Sequence, residues 1–240
     1  RIALQIIRAI GTNMYTIVLG FMVATAFLSM WISNTATTVM VLPMAVSIVK
    51  QMKDNPNTLK DENKVFSKLL MLGIAYAASI GGIATLIGTP PNLVFAGFVQ
   101  ETYGVDIGFW QWMKFGLPVA SVLLILAWLY LTRLAYPLKS ARFPGGKEEI
   151  YRMLVELGPM GKEEKIVLSV FGLTAFCWIT RSFFLQNIIP GIDDTIIAVG
   201  AAILLFIIPA NGTGRALIKW SEAVKIPWGI ILLFGGGLAI

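Results

Sequence analysis

Residues 33–38, Ser33-Asn34-Thr35-Ala36-Thr37-Thr38, form a polar knot between two uncharged apolar runs. Met14 to Ile32 lies on one side; Val39 to Val49, which contains Pro43, lies on the other. An unpaired amide or hydroxyl in an apolar medium costs roughly 2–7 kcal/mol, so the Asn34 amide and the hydroxyls around it need partners at that depth. A single Ser or Thr can satisfy itself on a carbonyl of its own helix. Six consecutive small or polar residues including an Asn are better explained by a site for an ion or a polar solute.

Composition sets the surroundings of this knot. Of 240 residues, 57% are hydrophobic and only 13% are charged, whereas soluble domains carry about 25% charged residues. The chain therefore reads as an integral, multi-pass protein of the cell membrane, with the lipid bilayer as its solvent. There is no His, and Cys177 is the only Cys. A disulfide or a Cys/His metal centre within the chain is thereby excluded, and Cys177 reads as a small core residue. The net charge of +6 does not point to nucleic acid, because in a membrane protein the placement of charge matters more than its sum. The chain opens at Arg1 and stops at Ile240, 13 residues into an apolar run from Trp228. A span needs about 20 residues, so a fragment of a longer polypeptide is expected.

Outward from the knot, residues 1–13 read as a short interfacial amphipathic helix with Arg1 and Arg8 on its wet side. Met14–Ile32 and Ala36–Val49 read as two limbs of a re-entrant helical hairpin over residues 14–49. The second limb has only 14 residues, too few to cross about 30 Å of hydrocarbon. Asn55, Pro56 and Asn57 mark a turn. Residues 69–99 are free of charge but interrupted by Gly81-Gly82 and by Gly88-Thr89-Pro90-Pro91-Asn92, which predicts a broken helix. A half-helix from Leu69 to about Ile80 would be followed by an irregular stretch to Gly88. A second half-helix would then start with Thr89 as its cap and Pro90 as its first residue. Irregular backbone at such depth is tolerated only where protein or water surrounds it.

An outer loop over 100–114 with Trp110 and Trp112 at the interface leads to a span at 115–136. Residues 138–165 read as a charged cytoplasmic linker whose centre is a surface helix. Spans follow at Ile166–Phe184, with Arg181 snorkelling near its end, and at Thr195–Pro209, with a turn around Pro190 and Gly191 between them. Residues 1–137 thus form the latter part of one repeat, and residues 166–240 the truncated start of a second. Under this threading seventeen of the nineteen Lys and Arg fall on one face, leaving Lys114 and Arg181 on the other. By the positive-inside rule the basic face is cytoplasmic.

The hairpin tip and the Thr89-Pro90 break each begin a helix near mid-membrane, where free N–H groups and the positive dipole end suit an anion. The helices that end at the same breaks leave carbonyls, and Ser29 lies one turn before Ser33 on one face. Hydroxyl and carbonyl oxygens are hard ligands for an alkali cation, and an anion site beside a cation site is the arrangement of a secondary symporter.

The stretches SNTATTVMVLP (33–43) and LIGTPPNLV (86–94), each at a helix break, resemble the N-terminal repeat of the divalent-anion/sodium symporter family, carriers of succinate, fumarate, malate and citrate. WGIILLFGGGLA (228–239) resembles the entry to that family's second repeat. The resemblance implies an all-α membrane protein with broken helices and a re-entrant hairpin, half of an inverted-repeat transporter. It implies a homodimer with elevator-type movement, and sodium held by Ser29, Ser33, Asn34 and the backbone from Gly82 to Gly88. A substrate carboxylate would be contacted by Asn34 and Thr35, with the Thr89-Pro90 turn beside them. The family's second Ser-Asn-Thr and second Gly-Thr-Pro motifs do not occur in this sequence, so half of the expected binding site is absent and this piece alone is not expected to transport.

Three other readings stand beside sodium-coupled dicarboxylate symport. An anion exchanger without net sodium coupling shares every motif. An intramembrane enzyme would want an Asp, Glu, His or Cys within residues 14–49 or 69–99, and there is none. A pore would be betrayed by flux at channel rates.

Overall fold

The computed structural model describes residues 1–11, 13–54, 60–138, 146–210, 215–226, 228, 229 and 232. The expected turn at Asn55-Pro56-Asn57 and most of the final apolar run, including Gly235 to Gly237, lie outside the described residues. The helices are α1 (Ile2–Ile10), α2 (Met14–Ser29), α3 (Asn34–Asp54), α4 (Lys60–Ile83), α5 (Pro90–Tyr103), α6 (Phe109–Leu129), α7 (Gly146–Glu156), α8 (Lys162–Thr180), α9 (Gln186–Ile188), α10 (Asp194–Ile207) and α11 (Trp220–Ala223). α6 and α8 run on into π-helical turns, Tyr130–Ala135 and Arg181–Leu185. An isolated antiparallel bridge joins Pro209 and Ala216. Among the described residues, four helices are long and apolar enough to cross a membrane: Asn34–Met52, Glu62–Ile83, Phe109–Ala135 and Lys162–Ile188. The chain divides into two compact units, residues 1–92 with 113–158 and residues 93–112 with 159–240.

The first unit is built around α2. Asn13 caps this helix: its side-chain oxygen accepts from the Thr16 N–H at 2.8 Å, and its own N–H donates to Thr16 Oγ1 at 3.0 Å. Ile17, Val18, Phe21, Met22 and Ala24 of α2 are all fully or almost fully buried, as expected of a helix apolar all round. α1 lays Ala3, Leu4 and Ile7 against this core and leaves Arg8 outside. Where α4 crosses α2, small residues let the backbones approach: a Cβ at Gly81 would collide with the Ala26 carbonyl, and one at Gly73 would come 3.2 Å from Met22 Cγ. Without a strong apolar driving force between helices in lipid, such close van der Waals contact is what holds them together.

α7 is the helix expected in the charged linker, and it is more than a surface element. Its Glu149 is buried, accepting from Ser47 Oγ at 2.7 Å and from Arg152 Nη2 at 2.6 Å. Arg1 donates to the carbonyls of Leu157 and Gly158 at 2.7 and 2.5 Å, which fastens the start of α1 to the end of this segment.

The second unit is organised by a pairing that corrects the sequence expectation. Arg181 does not snorkel; it is 4% exposed. Its Nε lies 2.8 Å from Asp194 Oδ1 and its Nη2 lies 3.5 Å from Asp106 Oδ2. Asp194 also accepts from the Phe109 N–H at 2.9 Å, and its carbonyl accepts from Trp178 Nε1 at 2.9 Å. Phe109 and Trp178 stack at 5.2 Å above this group. A Cβ on Gly108 would overlap the Arg181 guanidinium, so a glycine is what lets the 104–108 turn close over it. Two carboxylates within reach make burial of the guanidinium cheaper than bending the side chain out to water.

Helix boundaries also move. α3 continues through Lys50 to Asp54, 21 residues instead of the 14 of its apolar part, because backbone hydrogen bonding does not require apolar side chains. The limb that falls short of about 30 Å is α2, with 16 residues. α4 begins at Lys60 and not at Leu69, and the loop expected over 100–114 shrinks to residues 104–108.

Candidate functional site

The two helix breaks meet within the first unit. Residues 30–33 separate α2 from α3, and residues 84–89 separate α4 from α5. Two side chains, Ser29 and Thr85, fasten one break to the other, and a third, Asn92, closes the second break on itself. Ser29 Oγ lies 2.7 Å from the Ala78 carbonyl of α4 and 2.7 Å from Asn34 Oδ1 at the start of α3. Thr85, fully buried, donates its hydroxyl to the Met30 carbonyl. Asn92, in the first turn of α5, donates from Nδ2 to the carbonyls of Gly82 and Thr85 at 2.9 and 2.8 Å.

Glycines make this meeting possible. A Cβ on Gly82 would come 2.5 Å from Asn34 Oδ1, so the Asn34 amide occupies the space that any other residue at 82 would fill. A Cβ on Gly88 would come 2.5 Å from the Gly82 carbonyl, and the loop closes on itself only because none is there. Ser29, Asn34, Gly82 and Gly88 thus lie next to one another in the fold.

The corner formed by Ser29 Oγ, Asn34 Oδ1 and the Ala78 carbonyl is rich in oxygen and poor in protons. A hydroxyl carries one proton, and when the Ala78 carbonyl accepts it, Ser29 Oγ presents only lone pairs to Asn34 Oδ1. Turning the Asn34 amide so that Nδ2 donates to Ser29 Oγ would relieve that contact, and so would a cation between the oxygens. The donors are neutral hard oxygens, which suit an alkali cation and not a transition metal. Among the described residues no group of three His, Cys, Asp or Glu is placed to hold a metal.

The other expected residues are placed differently. Ser33 is exposed, and its Oγ caps α3 by accepting from the Ala36 N–H at 3.4 Å. Thr35 is exposed at the first turn of α3, beside the positive end of a 21-residue helix. Thr89 is half-buried, and its carbonyl accepts from the Asn92 N–H at 3.1 Å. Pro90 opens α5 and is followed by Pro91. Neither proline has an N–H, so the start of α5 offers an anion its dipole but fewer amide donors than the start of α3 does. The residues that reading the sequence missed are Thr85, Asn92 and the Ala78 carbonyl. Thr85 and Asn92 carried a signal as polar residues inside an uncharged stretch; Ala78 carried none.

Residues 1–240 match the family described as the sodium:sulfate symporter transmembrane region. The chain is 44% identical over 246 aligned residues to the sodium-dependent dicarboxylate transporter SdcS of Staphylococcus aureus (strain USA300), with all of this chain and 47% of the relative covered. It is 42% identical, with the same coverage, to the protein of that name from Staphylococcus saprophyticus. The chain spans about half the length of the curated relatives it matches.

Proposed function

The chain belongs to the sodium:sulfate symporter transmembrane family, and from that membership we propose that it forms part of a sodium-coupled symporter of di- or tricarboxylates of the succinate, fumarate, malate and citrate class. The observation that carries the coupling is the proton-poor corner of Ser29 Oγ, Asn34 Oδ1 and the Ala78 carbonyl. In this reading Ser29, Ser33, Asn34 and the loop from Gly82 to Gly88 hold sodium. Asn34, Thr35 and the Thr89-Pro90 turn receive a substrate carboxylate. The relatives named above are called sodium-dependent dicarboxylate transporters, which supports the substrate class.

Charge balance gives the mechanism its sign. Neither break contains a Lys or Arg, so a dianion brought to this depth is held by neutral donors, helix dipoles and co-bound cations. Without the cations its desolvation is uncompensated. Sodium binding first and substrate second is the order this imposes. The working assembly in this proposal is a homodimer whose substrate-bearing part moves across the membrane as an elevator.

The test is counterflow of labelled succinate into liposomes containing the full-length transporter, with sodium and with choline in its place. Uptake that needs sodium and rises steeply with it is expected. Tight succinate binding and full counterflow in sodium-free buffer would overturn coupling and leave an anion exchanger.

A further inference from the structure

One residue gathers the second break from end to end. Asn92, in the first turn of α5, is 7% exposed, and it holds three carbonyls of residues 82–89 at once. Its side-chain Nδ2 donates to Gly82 O at 2.9 Å and to Thr85 O at 2.8 Å, and its main-chain N–H donates to Thr89 O at 3.1 Å. Main-chain carbonyls only accept, so the two side-chain partners fix which way round this amide lies.

The sequence of the break supplies few other means of ordering it. Residues 69–99 contain no Asp, Glu, Lys, Arg or His, so no ion pair can form within it, and Pro90 and Pro91 bring no N–H. The Gly88 N–H reaches the Thr85 carbonyl at 3.3 Å. Two of the three residues that Asn92 clasps are those that meet the first break. Gly82 leaves the space that the Asn34 amide fills, and Thr85 donates its hydroxyl to the Met30 carbonyl. None of the three bonds made by Asn92 goes to Ser29 or Asn34. An ion that draws on a loosely held loop must order that loop as it binds, and the ordering is subtracted from its affinity; a loop already held in place spares it that cost.

We propose that Asn92 is a positioning residue for the cation: by clasping Gly82, Thr85 and Thr89 it presets the backbone from Gly82 to Gly88 against the hairpin tip before sodium arrives. It acts through the main chain of the loop and contributes no ligand. This inference rests on the sodium-coupled reading above. Without the clasp, a loop that holds the competent arrangement about one tenth of the time lowers the apparent sodium affinity roughly tenfold. The ion-bound state is the same in either case, so succinate that binds after sodium meets an unchanged site.

The experiment measures sodium binding to the purified full-length transporter without dicarboxylate, by radiolabelled sodium in a scintillation proximity format with choline as the replacement cation. Succinate affinity at saturating sodium and the thermal midpoint in sodium-free buffer are recorded beside it. Asn92→Ala is expected to raise the sodium half-saturation roughly tenfold and to leave succinate affinity at saturating sodium unchanged. Asn92→Asp keeps the shape but donates only when protonated; ionised, its oxygens face the Gly82 and Thr85 carbonyls and repel them. Burial raises the pKa of a carboxyl, so the sodium half-saturation of Asn92→Asp is expected to fall as the pH is lowered from about 8 to about 5.5. Residues 14–49 and 69–99 of the wild-type chain carry no carboxyl, so wild type and Asn92→Ala set the baseline for that response. The pH response of Asn92→Asp decides the matter alone if the alanine variant does not fold. Sodium binding as tight as wild type in both variants, even with a lowered thermal midpoint, would make Asn92 a purely structural residue and overturn the proposal. So would an equal loss of sodium and succinate affinity in Asn92→Ala. Tighter sodium binding by Asn92→Asp as the pH rises would show position 92 acting on the ion by charge, which also overturns it. If the wild-type protein binds no sodium, it is the coupled reading that falls, and this inference with it.

Discussion

Ser29 carries one proton and faces two oxygens at 2.7 Å, while Thr35, six residues past the end of α2, stands exposed at the start of α3. The two side chains should therefore fail in different ways when truncated. Losing a hydrogen-bonding contact to a charged group costs about 1.5–3 kcal/mol. Ser29→Ala in the full-length transporter is thus expected to raise the sodium half-saturation of succinate uptake by roughly ten- to hundredfold at normal expression; an unchanged half-saturation would count against the corner. Thr35→Ala is expected to weaken succinate binding by roughly tenfold and to spare sodium binding measured alone. A loss of both in Thr35→Ala would place Thr35 among the cation ligands instead.

At the scale of elements, the second unit depends on joining the 104–108 turn to the turn between α8 and α10. Arg181 does this from a buried position, with Asp194 at 2.8 Å and the more exposed Asp106 at 3.5 Å. Removing one partner of a buried pair leaves the other charge uncompensated, at a cost of about 3–5 kcal/mol. Arg181→Met is expected to lower the thermal midpoint of the purified protein strongly, and Asp106→Asn only slightly. The double variant Arg181→Met/Asp194→Asn should be less destabilised than the sum of its two singles, because the second change removes the charge that the first stranded. Additive losses in that cycle would mean that the pair contributes nothing as a pair.

For the molecule as a whole the governing quantity is where the charge lies. Seventeen of nineteen Lys and Arg fall on one face of the threading, and Lys114 is one of the two that do not. In the first unit Lys64 and Lys114 are both exposed. Single cysteines at these two positions, in a Cys177→Ala background, are expected to react with an impermeant thiol reagent from opposite sides of the membrane, position 64 from the cytoplasm. Labelling of both from one side would reverse the topology.

The sequence by itself determined the class of the protein and where its membrane helices break. Charge scarcity over residues 14–49 and 69–99 cannot persist in water, and Gly-Gly with Gly-Thr-Pro-Pro-Asn cannot persist in a regular helix. Membrane helices, two breaks and polar residues at the breaks therefore follow from local physics. The start of α5 at Pro90 and the tip before α3 at Asn34 were legible for the same reason. Which groups actually pair was decided only by tertiary structure, because pairing depends on distance across the chain. The Ala78 carbonyl has no signature in its own residue type, and it joins the site because α4 crosses α2 at a stretch of small residues. Arg181, read alone, has an apolar stem long enough to snorkel; Asp106 and Asp194, 75 residues before it and 13 after it, keep it inside.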